Sequence, residues 1–512
     1  MAIEITVSDR VRVKLSDLSP ETTAALQKEF THLNPARKKI DASIASLSRS
    51  SRSQQTQRVL RVLRAQQATE PLVQATWRTE QGILSLPRGG AARALSVLHD
   101  CGVTYEVFDE RTEGTGPRAE YKHRVELRSY QWESVEPLFE QEQGLVRAPT
   151  GSGKTEILIR LIVMARLPAL VIVWTKSLLE QWLRRLRVGL QIPESEIGII
   201  QGSTRRIRPI TIGMQQTLWK VAQEYRNVFG LVGADEVHRF ASKTFMDVVD
   251  TFPARFRFGV SADERRRDRK EFLLYDTFGA VIGEAKKQQL VDSGAILDVE
   301  VVLVPTEFDR DWYQALDDAA KGQAFGRLIE EMGSDAKRNR IAVELASREV
   351  QQGEQVLLFA HRREHCRVLF ADMAAREPRA GIFLGGQGDE AEFQRTLLGI
   401  LDGSVRVAAG TYQAVGTGLD LPRLGRGVAT TPVHNNRPFL DQVIGRLCRT
   451  SEGTGKKDAR IYYLWDREVF GLAPLRNLVR WCSRVKVQVG GQLFDGRTYL
   501  KGQQDKSRET GE

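Results

Sequence analysis

The sequence contains no apolar run approaching the roughly 20 residues that cross a bilayer. It also opens without a leader-like apolar core, because apolar and polar residues alternate through MAIEITVSDRVRVKL. Neither a membrane span nor a secretory leader is expected. Cysteine is scarce: Cys101, Cys366, Cys448 and Cys482 are scattered, with no CxxC pair. That spacing argues against a zinc knuckle or a disulfide framework and predicts a reducing, cytoplasmic setting. Acidic residues are outnumbered, 65 against 75 lysines and arginines, for a net charge of +10. Such an excess favours a polyanionic partner, of which nucleic acid is the commonest. Hydrophobic content of 41% and charged content of 27% are ordinary for a globular chain. At 512 residues the chain exceeds what one core can serve, so two to four domains are expected.

Four segments follow from the hydrophobic pattern. Residues 1–120 read as a small α+β domain. Ile3, Ile5 and Val7, then Val11, Val13 and Leu15, alternate with polar residues as in an edge or half-buried hairpin. A basic Ser- and Gln-rich stretch follows, expected to be flexible in its first half and helical from RVLRVLR onward. Arg49, Arg52, Arg58, Arg61 and Arg64 there read either as phosphate contacts or as a solvated basic face. GILSLPRGGAARALSVLHDCGVTYEVFDER parses as strand, turn, helix and strand, and EGTGPRAE as a linker. Over 121–296 the apolar runs GLVRA, ALVIVW, IGIIQG, ITIGM, FGLVGAD and FRFGVSA alternate with helical periods. The pattern restarts over 297–483 with VEVVLV, QVLLFA, GIFLGG, RVAAGT and GVATTP. Continuous apolar strands separated by helices predict α/β domains with parallel sheets covered on both faces, here two in tandem. Residues 484–512 read as a C-terminal extension ending in a disordered tail.

The sharpest chemical signal is APTGSGKTE, a P-loop pattern with Ala148 in place of the first glycine. Pro149, Thr150, Gly151, Ser152 and Gly153 lie between a strand and a helix, so backbone N–H groups and the helix start can cradle phosphates. Lys154 would reach the β- and γ-phosphates and the Thr155 hydroxyl would bind Mg²⁺. After a P-loop, the apolar run ending in Asp235 and Glu236 fits the second half of a metal and water site. Asp235 would hold Mg²⁺ and Glu236 would orient the attacking water. His238 has no HExxH or CxxC companion, so zinc ligation is disfavoured.

These residues and their order resemble superfamily 2 helicases and translocases of the DEAH/DEXH-box kind, in pattern the XPB-type and phage UvsW-type DNA motors. The resemblance covers about residues 121–470 and implies two tandem RecA-like domains behind a small N-terminal substrate-recognition domain. ELRSYQWESV looks like the adenine-side motif, with Arg128 and Gln131. VIVWTKSLLEQW resembles motif Ia, which implies that Thr175 and Lys176 touch a nucleic-acid backbone. ITIGMQQTL implies weaker contacts at Gln215 and Thr217. DEVH varies the DEAH box, and GVSAD stands where motif III is expected, giving His238, Ser261, Ala262 and Asp263 coupling roles. QVLLFAHRREH is similar to motif IV, with His361 and Arg362. VAAGTYQAVGTGLDLPRL is similar to motif V, with Thr411, Gly418 and Asp420. FLDQVIGRLCRT fits motif VI through Gln442, Gly445, Arg446 and Arg449, whose arginines would act as fingers on the γ-phosphate. Asp263 departs from the usual Ser-Ala-Thr, which puts coupling to strand separation in doubt more than hydrolysis.

The function so implied is an ATP- and Mg²⁺-dependent DNA helicase or translocase on forked, branched or damaged duplex, with a monomer as the default. Alternatives are an RNA helicase, a motor subunit of a nuclease or defence complex, or a non-catalytic nucleic-acid-binding scaffold. Trp132, Trp174, Trp182 and Trp219 are expected in cores rather than stacked on bases.

Overall fold

The computed structural model describes residues 2–50, 54–69, 71–118, 120–149, 151–237, 242–262, 270–384, 390–416, 421, 423–433, 440, 443–445, 447–448 and 456–510. The chain divides into two compact units, Met1–Pro149 with Gly153–Lys286, and Lys287–Glu512 with Thr150–Ser152. The expected segments 1–120 and 121–296 therefore share a unit, and its boundary falls near 286 rather than 296.

In the N-terminal segment β1 (Ile3–Val7) and β2 (Arg10–Lys14) form the expected hairpin, with Ile5 opposite Val13. The hairpin is followed by α1 (Pro20–Glu29), β3 (Thr31–Leu33), α2 (Pro35–Ser50), α3 (Gln54–Thr69) and β4 (Val73–Ala75). The segment closes with β5 (Arg78–Glu80), β6 (Ile83–Pro87), α4 (Ala91–Asp100) and β7 (Tyr105–Asp109). The sheet order β5-β6-β2-β1-β7 puts the hairpin in the middle, not at an edge. The reason is its apolar face: Ile3, Ile5, Val11 and Val13 bury with Leu84 and Leu86 under Leu26, Phe30 and Leu98 of the helices. The Ser- and Gln-rich stretch is helical up to Ser50 as well, contrary to expectation. Ser19 caps α1, its Oγ accepting from Thr22 N at 3.1 Å.

The linker EGTGPRAE does not hang free. Thr112, Thr115 and Gly116 donate backbone N–H groups to Pro253, Asn227 and Val228. Gly114 adopts φ +82°, and a Cβ there would lie 2.5 Å from Gly230 N, so glycine permits the close approach.

Next come α5 (Ser129–Gln141), β8 (Gln143–Arg147), α6 (Lys154–Ala165), β9 (Ala169–Val173) and α7 (Lys176–Leu190). They are followed by β10 (Ile197–Gln201), β11 (Thr204–Arg206), β12 (Ile210–Met214), α8 (Gln215–Val221) and β13 (Leu231–Asp235). The series ends with α9 (Lys243–Val249), β14 (Phe256–Ser261), α10 (Phe272–Phe278) and β15 (Val281–Glu284). Their sheet runs β11-β10-β12-β9-β13-β14-β8-β15, parallel except for the edge strand β11. Strands β9 and β13 are buried along their whole length, as apolar runs covered on both faces must be.

Two buried carboxylates fasten the N-terminal segment to this sheet domain. Asp250, following α9, accepts from Arg10 Nη1 at 2.5 Å and from the fully buried Arg257 Nη1 at 3.2 Å. Asp276 on α10 accepts from Thr76 Oγ1 at 2.6 Å, lies 3.0 Å from His32 Nε2, and also pairs with Arg93.

The second unit repeats the plan. Its strands are β16 (Glu300–Pro305), β17 (Val356–Ala360), β18 (Ala380–Phe383), β19 (Val407–Thr411), β20 (Arg426–Ala429), β21 (Arg460–Trp465), β22 (Arg484–Val489) and β23 (Gln492–Asp495). The sheet order is β18-β19-β17-β20-β21-β16-β22-β23, parallel except for β23. Segment 484–512, expected as an extension with a disordered tail, instead supplies β22 and β23 and a helix over Gly496–Thr510. Val485 and Val487 draw it in, being buried against the sheet while their neighbours stay polar. Among the described residues no helix is long and apolar enough to cross a membrane.

Candidate nucleotide site

The chemistry gathers where parallel strands end. β8 leads into the glycine-rich loop and β13 ends on Asp235, with only β14 between them. The registers pair Asp235 with Val260 and Arg147 with Ser261, and Ala148 N donates to Ser261 O at 2.9 Å. The loop start, the Ser261 position and the paired carboxylates thus share the carboxyl edge of one sheet, where open α/β sheets bind ligands.

Gly153 opens α6 at φ +76°, and a Cβ there would lie 2.3 Å from Gln131 Nε2. Gln131 is the N3 residue of α5. Its Oε1 accepts from Arg128 N at 2.9 Å, and its Nε2 donates to Gly153 O at 3.4 Å. Gln131, expected from the sequence to read adenine, thus braces the phosphate loop. Lys154 is buried, donating from Nζ to Ala148 O at 3.0 Å and Pro149 O at 3.3 Å, with Glu236 Oε1 at 3.9 Å. Its ammonium occupies the loop's own carbonyls. Thr155, the next residue, is buried, and so is Ser152 of the loop.

Asp235 is buried and accepts from Trp182 Nε1 on α7 at 3.0 Å. Burial, and next the charge of Glu236, push its pKa up to about 6, while Lys154 and the Trp182 hydrogen bond pull the other way. Glu236 adopts φ +53°, a left-handed conformation costly for a side chain with a Cβ. The donors offered by Thr155 and Asp235 are hard oxygens, which suit a small divalent cation, and such a charge would offset the burden on Asp235. Glu156, next to Thr155, lies 3.0 Å from the buried His123 Nε2 and accepts from Arg185 Nη1 of α7 at 3.3 Å. The phosphate-loop helix is thereby tied to α7.

Other expected contacts divide. Lys176 is exposed at the start of α7. Thr175 caps that helix, its Oγ1 accepting from Leu178 N at 3.2 Å, so its hydroxyl already serves the fold. Thr217 Oγ1 accepts from Gly202 N at 3.0 Å, bracing the turn between β10 and β11, and Gln215 begins α8 half-buried. Ser261 is buried at the end of β14, with Ala262 half-buried beside it. In the second unit His361 and Arg362 are exposed after β17, His361 Nδ1 lying 2.8 Å from Thr431 Oγ1. Thr411 is buried and accepts from Ala414 N at 3.1 Å. Thr150, His238, Asp263, Gly418, Asp420, Gln442, Arg446 and Arg449 lie outside the described residues.

Trp182 is what sequence reasoning missed. It is in the core as expected, and its polar edge serves the site. The signal was its place in the motif Ia segment, seven residues after Thr175 and so on the helix that leaves the strand next to β13. Trp174 is partly buried and Trp132 lies under the Arg160 guanidinium at 5.0 Å, whereas Trp219 is half-exposed and departs from the core expectation.

A glycine-rich phosphate loop and a strand-end carboxylate pair on the carboxyl edge of one parallel sheet make a P-loop type of nucleotide site. Residues 124–264 match the family described as type III restriction enzyme, res subunit. The chain is 29% identical over 169 residues to the DNA 3'-5' translocase XPB2 of Sulfurisphaera tokodaii, covering 33% of this chain and 38% of that relative. It is 25% identical to the DNA 3'-5' helicase XPB of Kineococcus radiotolerans, over 67% of this chain and 60% of the other. Its fold is like that of a variant of S. cerevisiae Dbp5 bound to RNA and ADP BeF3, with TM-score 0.50 at 14% identity over 72% of this chain and 95% of that one. The match to the translocase thus spans about two-fifths of that protein's length.

Proposed function

We propose that the protein is an ATP-driven motor that moves along or remodels DNA. The observation that carries this reading is the buried Asp235, with Glu236 next to it, ending a strand that a single strand separates from the phosphate-loop strand, in a chain similar to DNA translocases and helicases. ATP would sit on the loop Pro149–Thr155, with Arg128 and Gln131 on the adenine side. Lys154 would leave the loop carbonyls for the β- and γ-phosphates, and Glu236 would take a proton from the attacking water. Thr155 and Asp235 would hold Mg²⁺, which when bound draws charge from the phosphates. Gly418, Asp420, Gln442, Arg446 and Arg449 would sense the nucleotide from the second RecA-like domain. His238, Ser261, Ala262 and Asp263 would couple it to motion. Lys176, Gln215, His361 and Arg362 would touch the phosphate backbone, with Thr175, Thr217 and Thr411 shaping that track rather than binding it. Segment 1–120 would select the substrate. Four free cysteines suit a cytoplasmic setting.

ATP turnover measured alone, with single-stranded DNA, with forked duplex and with RNA tests the reading. DNA is expected to raise turnover well above RNA. Equal turnover with and without any nucleic acid would remove the motor from consideration.

A further inference from the structure

The β3–β4 ribbon is interrupted by a basic arm. The two strands pair directly, Leu33 opposite Val73, yet residues 34–72 leave between them as the hairpin α2–α3. Eight lysines and arginines lie in this segment against two acids, and no acid occurs between Asp41 and Glu70. The whole chain carries only +10, so the arm holds most of the excess.

The arm is built as a stiff lever. Asn34 N donates to Leu72 O at 3.0 Å and Asn34 Nδ2 to Pro71 O at 3.0 Å, closing its neck. Arg37 bridges to Asp41 Oδ1 at 2.9 Å and to Gln67 O at 2.8 Å, and Gln67 Nε2 donates to Asp41 at 2.6 Å, clamping one helix to the other. Leu60 is buried while Lys38, Arg61 and Arg64 face solvent. The ribbon at the root is anchored on the first sheet domain. His32 of β3 stacks on Phe272 with ring centroids 4.1 Å apart and reaches Asp276 at 3.0 Å. The ribbon at the arm's root is thereby tied to α10.

We infer that this arm lies along the sugar-phosphate backbone of a nucleic-acid duplex. The inference rests on the motor reading and specifies how such a motor grips its substrate. Charge complementarity names a polyphosphate. The duplex rather than the single strand follows from what the arm lacks: no Phe, Trp, Tyr or His occurs from Asn34 to Leu72. Single-strand sites stack bases on aromatics, whereas arginine, lysine, serine and glutamine contact phosphates irrespective of sequence. Each helix has 16 residues, roughly 24 Å, the length of about seven stacked base pairs.

The test uses the full chain with K38A/R61A/R64A, beside K14A/K28A/K501A as an equal loss of exposed charge elsewhere. Thermal melts and turnover without nucleic acid should match wild type in both. Duplex affinity is then measured by fluorescence anisotropy across a salt series. Each lost phosphate contact lowers the slope of log K on log salt by about 0.9, so the arm variant should lose a slope of about 2–3 and tenfold or more in affinity at low salt. The control should lose less than half of that. Unchanged slope and affinity in the arm variant would overturn the inference, and so would an equal loss on single-stranded DNA. Losses on duplex DNA and duplex RNA alike support backbone contact, and a loss on one alone supports contact with that duplex. Wild-type duplex binding without any stimulated turnover would instead count against the motor reading and leave the arm standing.

Discussion

Trp182 donates its indole N–H to Asp235 Oδ2 across 3.0 Å in a site that buries both side chains. The bond gives the buried carboxylate a fixed partner on α7, beside the backbone hydrogen bond it accepts from Glu236. Trp182→Phe keeps most of the packing and removes the donor. The expected result is a loss of about 1–3 kcal/mol in urea unfolding, the cost of stranding a buried acceptor. A higher Mg²⁺ requirement for turnover should accompany it. Trp182→His, which retains an N–H, should recover part of the Mg²⁺ response; if His and Phe behave identically, the hydrogen bond has no positioning role.

The raised pKa of Asp235 gives a pH signature in protein free of nucleotide and divalent cation. Between about pH 4 and 6 the folded state keeps a proton that the unfolded carboxylate has lost, so stability falls as pH rises through that window. Asp235→Asn removes the titration. It is expected to melt above wild type at pH 7, by on the order of 3 kcal/mol in stability, with the difference closing towards pH 4. A pH-independent difference would point to another cause.

Glu236 separates catalysis from stability. Glu236→Gln should bind ATP and lose turnover by about 10²–10⁴-fold, as removal of a general base does. Glu236→Gly relieves the φ of +53° and should raise the melting temperature while also losing turnover. A lower melting temperature for the glycine variant would show that the left-handed turn is not strained.

Lys154→Ala should differ from both. It removes the cation that reaches the phosphates, so binding of a fluorescent ATP analogue should weaken together with turnover. Unaltered analogue binding would mean that Lys154 does not leave the carbonyls of Ala148 and Pro149.

Asp250 is the mechanical test of the N-terminal segment. Asp250→Ala strands Arg10 and Arg257, both almost fully buried, and is expected to cost about 3–5 kcal/mol. Limited proteolysis should then cut near residues 112–118, which the native fold holds by backbone hydrogen bonds. Protection equal to wild type would show that the linker contacts suffice alone.

Much of the fold was legible because its signals are local. Each apolar run named in 121–296 became a strand, since a strand covered on both faces must be apolar throughout. The strands over Arg460–Trp465 and Arg484–Val489 escaped notice. IYYLW reads equally as a helical segment, and RVKVQV alternates as a surface ribbon would. The first helix of the arm was also hidden, because serine favours no element strongly and its apolar stripe gains only from its partner helix, whereas the helix around RVLRVLR was expected.

The sequence by itself marked out the chemistry: which residues can cradle phosphates and which carboxylates follow, with a charge excess that favours a polyanionic partner. Those assignments rest on spacing along the chain, and glycine freedom and helix starts act over a few residues. Tertiary structure decided how the groups are used. It set the Trp182 indole on Asp235, turned Gln131 into a brace for Gly153, occupied the hydroxyls of Thr175 and Thr217, and rooted the basic arm on Asp276. Apart from the local cap at Thr175, these contacts join residues 15 to 244 positions apart, and the Trp182–Asp235 pair among them is buried. Inside a low-dielectric core every polar group must find a partner, and which partner it finds depends on the packing of whole elements.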